Sequence, residues 1–385
     1  MLPVATAGPL PPPRDLTVPA PGSTTARDVL SRAIGRTLRE LRPLLGAHAA
    51  AAPRDAAAID RVLGASLRDG PGPLASLLRR PHVGALVRTL RATPPPGGAA
   101  LAAELRATLA FDLAHLGALP DAVTLGHLPP RIVSLVARSV ARVPPDARQL
   151  VFAPGAPPPL PLDEEPFRDI EGDTVLALAD NNPLAMHEAH PDKHGNAVDL
   201  GGRPVDAWIE ALRGAFALVA AYLPELREEM RPYVQAIVPV GYFADRHLSA
   251  SYREAIGLLY LSLHPSEMTM VEALVHEYQH NKLNALFELD DVLENAHAPL
   301  YASPVRPDPR PLAGVLLAVH AFAPVALLYR RMQEAGDPRA RAPDFDRRRR
   351  EIERIDREGA DVLLAHARPT AVGRGLLDEI GRVLA

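Results

Sequence analysis

Apolar residues return every third or fourth position across residues 25–45, 56–67, 84–90 and 99–116, which predicts a succession of helices. Gly70-Pro71-Gly72-Pro73 and Pro94-Pro95-Pro96-Gly97-Gly98 interrupt them, since proline lacks a backbone donor and glycine favours turns. Residues 25–150 therefore read as a helical N-terminal region. Ahead of it, residues 1–24 are proline-rich and predict a disordered tail. Residues 153–166 are again proline-rich, end in acids, and read as a linker.

The pattern then changes. Residues 174–179 form a strand-like run entering the turn Asp180-Asn181-Asn182-Pro183. Residues 203–223 predict an amphipathic helix with the sole tryptophan, Trp208. Residues 236–240 and 257–263 predict strands. Over residues 269–289, Val271, Leu274, Val275, Leu283, Leu286 and Phe287 fit a helix with one buried face. Thr269 followed by Glu272 reads as a capping box at its start. Residues 375–384 predict one more packing helix. The expectation is a mostly α protein with a small mixed sheet (α+β). Its helical N-terminal region packs on a second region, residues 167–385.

At 385 residues the chain can bury a large core, as one large domain or two. A net charge of −4 excludes the electrostatic footprint of a nucleic-acid binder. The sequence holds no cysteine, which excludes disulfides, iron–sulfur clusters, thiolate zinc sites and cysteine nucleophiles. Lysine occurs only at 193 and 282 among abundant Arg, Ala and Pro, a bias of composition and not of function. The N-terminus lacks a basic start and an unbroken apolar run, so no signal peptide is expected. Residues 315–329, with His320 and Pro324, are short for a membrane span and predict a buried core helix. Arg347 to Arg350 read as a solvated helix face. A cytoplasmic enzyme, without membrane or nucleic-acid partners, is the expectation.

Chemistry concentrates in His276-Glu277-Tyr278-Gln279-His280, an HExxH motif. Residues four apart share a helix face, so His276 and His280 can offer two imidazoles to one ion. Glu277 can reach a metal-bound water or oxygen ligand. HExxH runs also arise by chance in helices that bind nothing. Here the preceding strand and the His, Arg and carboxylates downstream argue for a metal site. His187, His190 and His194 lie in a polar loop, where histidines without a regular scaffold are usually solvated.

A catalytic metal usually takes three protein ligands. The metzincin extension fails, because it needs Gly and His where Leu283 and Leu286 stand. Asp291 or Glu294 on a returning loop remain open as carboxylate ligands. His320 is the more telling candidate, since an unpaired imidazole in an apolar helix is costly. A hydrogen-bonded core histidine is the competing reading.

The run HLSASYREAIGLLYLSLHPSEMTMVEALVHEYQHNKLNALFEL, followed by SPVRPDPRPLAGVLLAVHAFAPVALLY, resembles the HExxH-motif peptide-modification proteins. These are iron- and 2-oxoglutarate-dependent peptide β-hydroxylases of ribosomal-peptide biosynthesis. The resemblance covers about residues 236–329 and is weaker around LALADNNPLAMHEAH and in the N-terminal helices. It implies an Fe(II) centre at His276, His280 and His320 that chelates 2-oxoglutarate. It also implies a cation for the distal carboxylate of that cosubstrate. Arg310 ranks first for this, then Arg306, with Arg253, Ser249 and Ser251 in reserve. Each arginine also reads as a structural ion pair with Asp308, Asp290 or Asp291.

Three functions follow. The first is a 2-oxoglutarate-dependent dioxygenase that hydroxylates a β-carbon in a precursor peptide. The second is a zinc metallopeptidase with Glu277 as general base. The third is a non-catalytic peptide-binding protein with a degenerate site, in which the N-terminal helices grip the peptide.

Overall fold

Five helices open the chain: α1 (Thr25–Ala47), α2 (Pro53–Asp69), α3 (Gly72–Arg79), α4 (Pro81–Ala92) and α5 (Ala99–His115). Proline stands in the first turn of α2, α3 and α4, where its fixed φ suits a helix start and its missing N–H leaves no bond unmade. The structure is a computed structural model that describes residues 10–187, 195–305 and 308–384.

The expected helical region stops short of residue 150. After α5 come four short strands, β1 (Val123–Leu125), β2 (Arg131–Ser134), β3 (Ser139–Arg142) and β4 (Leu150–Phe152). They form two antiparallel pairs, β1 with β4 and β2 with β3. Ile132, Val133 and Val140 are β-branched and pack well on a pleated surface, a preference that outweighs the helical surroundings.

Next come β5 (Phe167–Glu171), β6 (Thr174–Ala177), α6 (Val205–Tyr222), α7 (Pro224–Tyr233), β7 (Ala236–Tyr242), β8 (Ser249–Ala250) and β9 (Leu258–Leu263). The sheet order is β5-β6-β7-β9-β8, with β6, β7 and β9 parallel and both edge strands antiparallel. β6, β7 and β9 lie where strands were expected; β5 and β8 were not foreseen. Along β9, Leu259, Leu261 and Leu263 join the main core. Leu258 and Tyr260 point to the other face, beside Ala85 and Ala185.

The metal-motif helix follows as α8 (Glu267–Phe287), then β10 (Leu300–Tyr301), β11 (Arg310–Pro311), α9 (Leu312–Glu334), α10 (Pro343–His366) and α11 (Ala371–Leu384). Helix accounts for 52% of the chain and strand for 13%, so the fold is α+β with helix dominant. The N-terminal helices and the HExxH region share one core, which joins Leu41, Leu74 and Leu105 to Leu274, Leu316 and Ile380. α9, at 23 residues, is long and apolar enough to cross a membrane. It is longer than its sequence pattern suggested, yet 78% of its apolar window is buried inside the fold, as expected of a core helix.

The expected tail is not loose over its described part. Leu16 and Thr17 are fully buried. The backbone N–H groups of Leu16, Thr17 and Val18 donate to the Glu379 carboxylate at 2.9, 2.6 and 3.1 Å. The backbone bends there outside any helix or strand, so its buried N–H groups need an acceptor, and Glu379 of α11 supplies one.

Candidate metal centre

The N-cap of α8 stands three residues before the predicted one. Ser266 is its N-cap, and its hydroxyl accepts from the Thr269 N–H at 3.3 Å. Thr269 already lies inside the first turn. No Gly or Pro interrupts residues 267–287, so the helix runs unbroken through the motif.

α8 is buried on more than one face, because α1, α6 and α9 all pack against it. Beyond the first turn, only Glu272, His276, His280 and Phe287 are not fully buried. Their spacing places them on one stripe. The open side of the helix is thus the side that carries both imidazoles.

One donor atom each from His276, Glu277 and His280 lies within 4.8 Å of the others. The two imidazoles stand edge to face, with centroids 4.4 Å apart. Phe322 of α9 covers His276, at a centroid distance of 4.7 Å. Glu277 is buried and accepts a 2.7 Å hydrogen bond from the Ser251 hydroxyl. Burial holds His280 below the usual imidazole range, against the pull of Glu277. An imidazole kept neutral retains the lone pair a metal needs.

His320 stands outside the 4.8 Å group. It is fully buried, and neither ring nitrogen has a hydrogen-bond partner. Burial, then Lys282, then His280 push it well below its ordinary value. Its carbonyl accepts from the Gln279 amide at 3.0 Å, which fastens α9 beside the motif. The Nδ1 of His280 is likewise buried without a partner. Orphaned imidazole nitrogens of this kind fit a metal-binding donor set, since a buried polar atom without a bond is costly.

Behind the motif lies a buried polar cluster. Lys282 donates to Glu229 at 2.8 Å, and the Tyr278 hydroxyl reaches the same oxygen at 3.2 Å. Burial raises the Glu229 carboxyl, with Lys282 opposing. The Gln279 amide also donates to the Thr17 carbonyl at 2.7 Å.

His280 opens on a cleft of about 880 Å³. Ser251, Arg253, Asn284 and Arg368 are among its lining residues, together with the acids Asp291 and Glu294. Arg253 donates to the Phe287 carbonyl at 2.9 Å and lies 5.9 Å from the Phe287 ring centroid. Among the described residues neither Arg253 nor Arg368 has an ion-pair carboxylate. Arg310, ranked first from sequence, lies 3.0 Å from an Asp308 oxygen and is not among the residues that line the cleft. The ion pair with Asp308 foreseen for it is present, and Arg253, named in reserve, lines the cleft. Arg306, His190 and His194 lie outside the described residues. The carbonyl of His187 accepts from Tyr252. Ser249 pairs with Leu261 in the sheet and does not line the cleft. Ser251 does line it, but its hydroxyl goes to Glu277.

Sequence reasoning missed Arg368, which arrives from the link between α10 and α11. No periodicity marks an arginine in a connection, so no local signal was there to find.

Fold and site together define an α+β protein with an HExxH helix open to a cleft lined by the guanidinium groups of Arg253 and Arg368. No protein-family model and no curated protein matches the chain.

Proposed function

We propose that the protein is a non-haem Fe(II)- and 2-oxoglutarate-dependent dioxygenase, a cytoplasmic peptide β-hydroxylase acting on a ribosomally made precursor peptide. One observation carries the reading: His280, whose ring stands 4.4 Å from that of His276, lines the same cleft as the Arg253 guanidinium. A 2-oxoglutarate enzyme needs imidazole donors for iron and a cation for the far carboxylate. The sequence resemblance supplies the reaction class.

His276 and His280 would hold the iron. His320, with both nitrogens unpartnered, is the candidate third donor. When bound, iron with 2-oxoglutarate and dioxygen supplies the oxidant for C–H hydroxylation. Arg253 binds the distal carboxylate with the N–H groups left over from the Phe287 carbonyl. Its planar fork suits a carboxylate better than an ammonium would. Phe322 shields His276, and Ala313 and Leu317 give the cleft an apolar wall. Glu277 acts by position, as no general base is required.

A zinc metallopeptidase is the second reading. It is favoured by the Glu277 carboxylate within 4.8 Å of both imidazole donors, where it could serve as general base.

The test reconstitutes the full chain with iron(II) or zinc. The hydroxylase converts 2-oxoglutarate and dioxygen to succinate and carbon dioxide with iron, one oxygen atom entering succinate and the other an intact candidate peptide. Peptide cleavage with zinc, indifferent to 2-oxoglutarate, would overturn the proposal. Peptide retained without turnover in either metal would leave a binding protein.

A further inference from the structure

Glu277 is the one carboxylate in the donor group, and the fold has to decide whether it becomes a ligand. Carboxylate oxygen is a good ligand for iron and zinc alike. An oxygen already within 4.8 Å of both imidazole donors needs only a small rotation to reach an ion between them. A third ligand from Glu277 would occupy a position that a chelating cosubstrate requires.

The Ser251 hydroxyl donates to Glu277 Oε2 at 2.7 Å. Serine has a single O–H proton, so Ser251 has no second donor for a cosubstrate carboxylate. The bond is delivered by a segment fastened along its length. Ala250 pairs with Tyr260 in the sheet. Arg253 is tied to the Phe287 carbonyl at 2.9 Å. The Gly257 N–H donates to Asn281 Oδ1 at 2.6 Å, and the Asn281 amide donates to the Glu277 carbonyl at 2.9 Å. Gly257 has φ +102°, and a Cβ there would lie 2.9 Å from the Tyr233 carbonyl, so the end of the segment packs closely against that strand-leading backbone. Glu277 is only 3% exposed, which leaves little space for water to replace the serine. A buried carboxylate deprived of its donor turns to the nearest compensating charge.

We infer that Ser251 is a positioning residue that holds the Glu277 carboxylate off the metal. The ion bound by His276 and His280 thereby keeps adjacent positions open for a chelating ligand. The inference rests on the metal-centre reading above, and it stands whether that centre hydroxylates or hydrolyses.

The test uses the full chain loaded with cobalt(II), whose visible absorption weakens as its coordination number rises. Four proteins are compared: wild type, Ser251→Ala, Ser251→Thr and the double variant Ser251→Ala/Glu277→Gln. Ser251→Ala is expected to weaken the cobalt absorption and raise the Kd for 2-oxoglutarate about tenfold or more, the usual scale for groups that orient a metal site. Ser251→Thr keeps the hydroxyl and restores both readings. The double variant regains 2-oxoglutarate affinity, because the charged competitor is gone. A general loss of packing would not be rescued by removing Glu277.

A wild-type spectrum and wild-type affinity in Ser251→Ala overturn the inference. So does a double variant no better than Ser251→Ala. If wild type binds cobalt but not 2-oxoglutarate, the dioxygenase proposal falls, and the spectrum of Ser251→Ala alone decides the role of the serine. If wild type binds no cobalt, the metal centre itself falls.

Discussion

Asp356 of α10 is fully buried, and neither carboxyl oxygen finds a hydrogen-bond partner. Burial pushes it up to about 8, with Arg330 opposing and Glu353 adding to the rise. In the unfolded chain it titrates near the ordinary value of about 3.9. Between those values the folded protein keeps a proton that the unfolded chain has lost. Its contribution to stability is therefore present at low pH and lost as pH rises toward 8. Asp356→Asn removes the titrating proton and should flatten that slope, so its stability relative to wild type should be higher at pH 8 than at pH 5. Urea unfolding near pH 5 and pH 8 measures it, and parallel losses in variant and wild type would refute it. Arg253 allows a second prediction on the same scale. Arg253→Lys keeps the charge and loses the fork, and should weaken 2-oxoglutarate binding about tenfold by calorimetry. Arg310→Lys, already paired with Asp308, should leave that affinity unchanged. The residue types in the motif were legible because helical spacing is local. That Arg253 lines the cleft while Arg310 pairs with Asp308 was not, because it depends on which groups the fold brings within reach.

α8 shows the same division among elements. Its extent was close to legible, since apolar periodicity and the lack of Gly or Pro are properties of the segment itself. Its cap was misplaced because Ser266-x-x-Thr269 and Thr269-x-x-Glu272 are both plausible starts. Backbone geometry settled on Ser266. Ser266→Ala should then cost about 1 kcal/mol, the usual worth of such a cap, and Thr269→Ala clearly less. Thermal or urea unfolding of both variants checks the order, and the reverse ranking would restore Thr269 as cap. Burial of α8 on all but one stripe was not foreseeable from its own residues. It depends on α1, α6 and α9, which arrive from distant parts of the chain.

Across the whole molecule, the N-terminal strap closes against the last helix. The Glu379 carboxylate takes three backbone N–H groups from Leu16, Thr17 and Val18, while Gln279 of the motif holds the Thr17 carbonyl. Burial raises the Glu379 carboxyl, and these backbone bonds oppose it together with Lys282. Glu379→Ala should release the strap at a cost of about 1.5–3 kcal/mol, the range for hydrogen bonds to a charged group. Amide exchange at residues 16–18 should quicken in that variant. Unchanged protection there would show that the strap is held by other contacts.

Taken alone, the amino-acid order determined the helix-rich α+β class, the positions of the three central strands and the pairing of His276 with His280 on one helical face. Each of these follows from a repeat of two or about four residues, which a short segment carries within itself. Only the tertiary structure decided that Ser251 belongs to Glu277, that Arg253 and Arg368 share the cleft, and that the described part of a proline-rich start is locked behind the HExxH helix. Such contacts join residues far apart in the chain, and whether they form depends on which competing partner the packed core brings within reach.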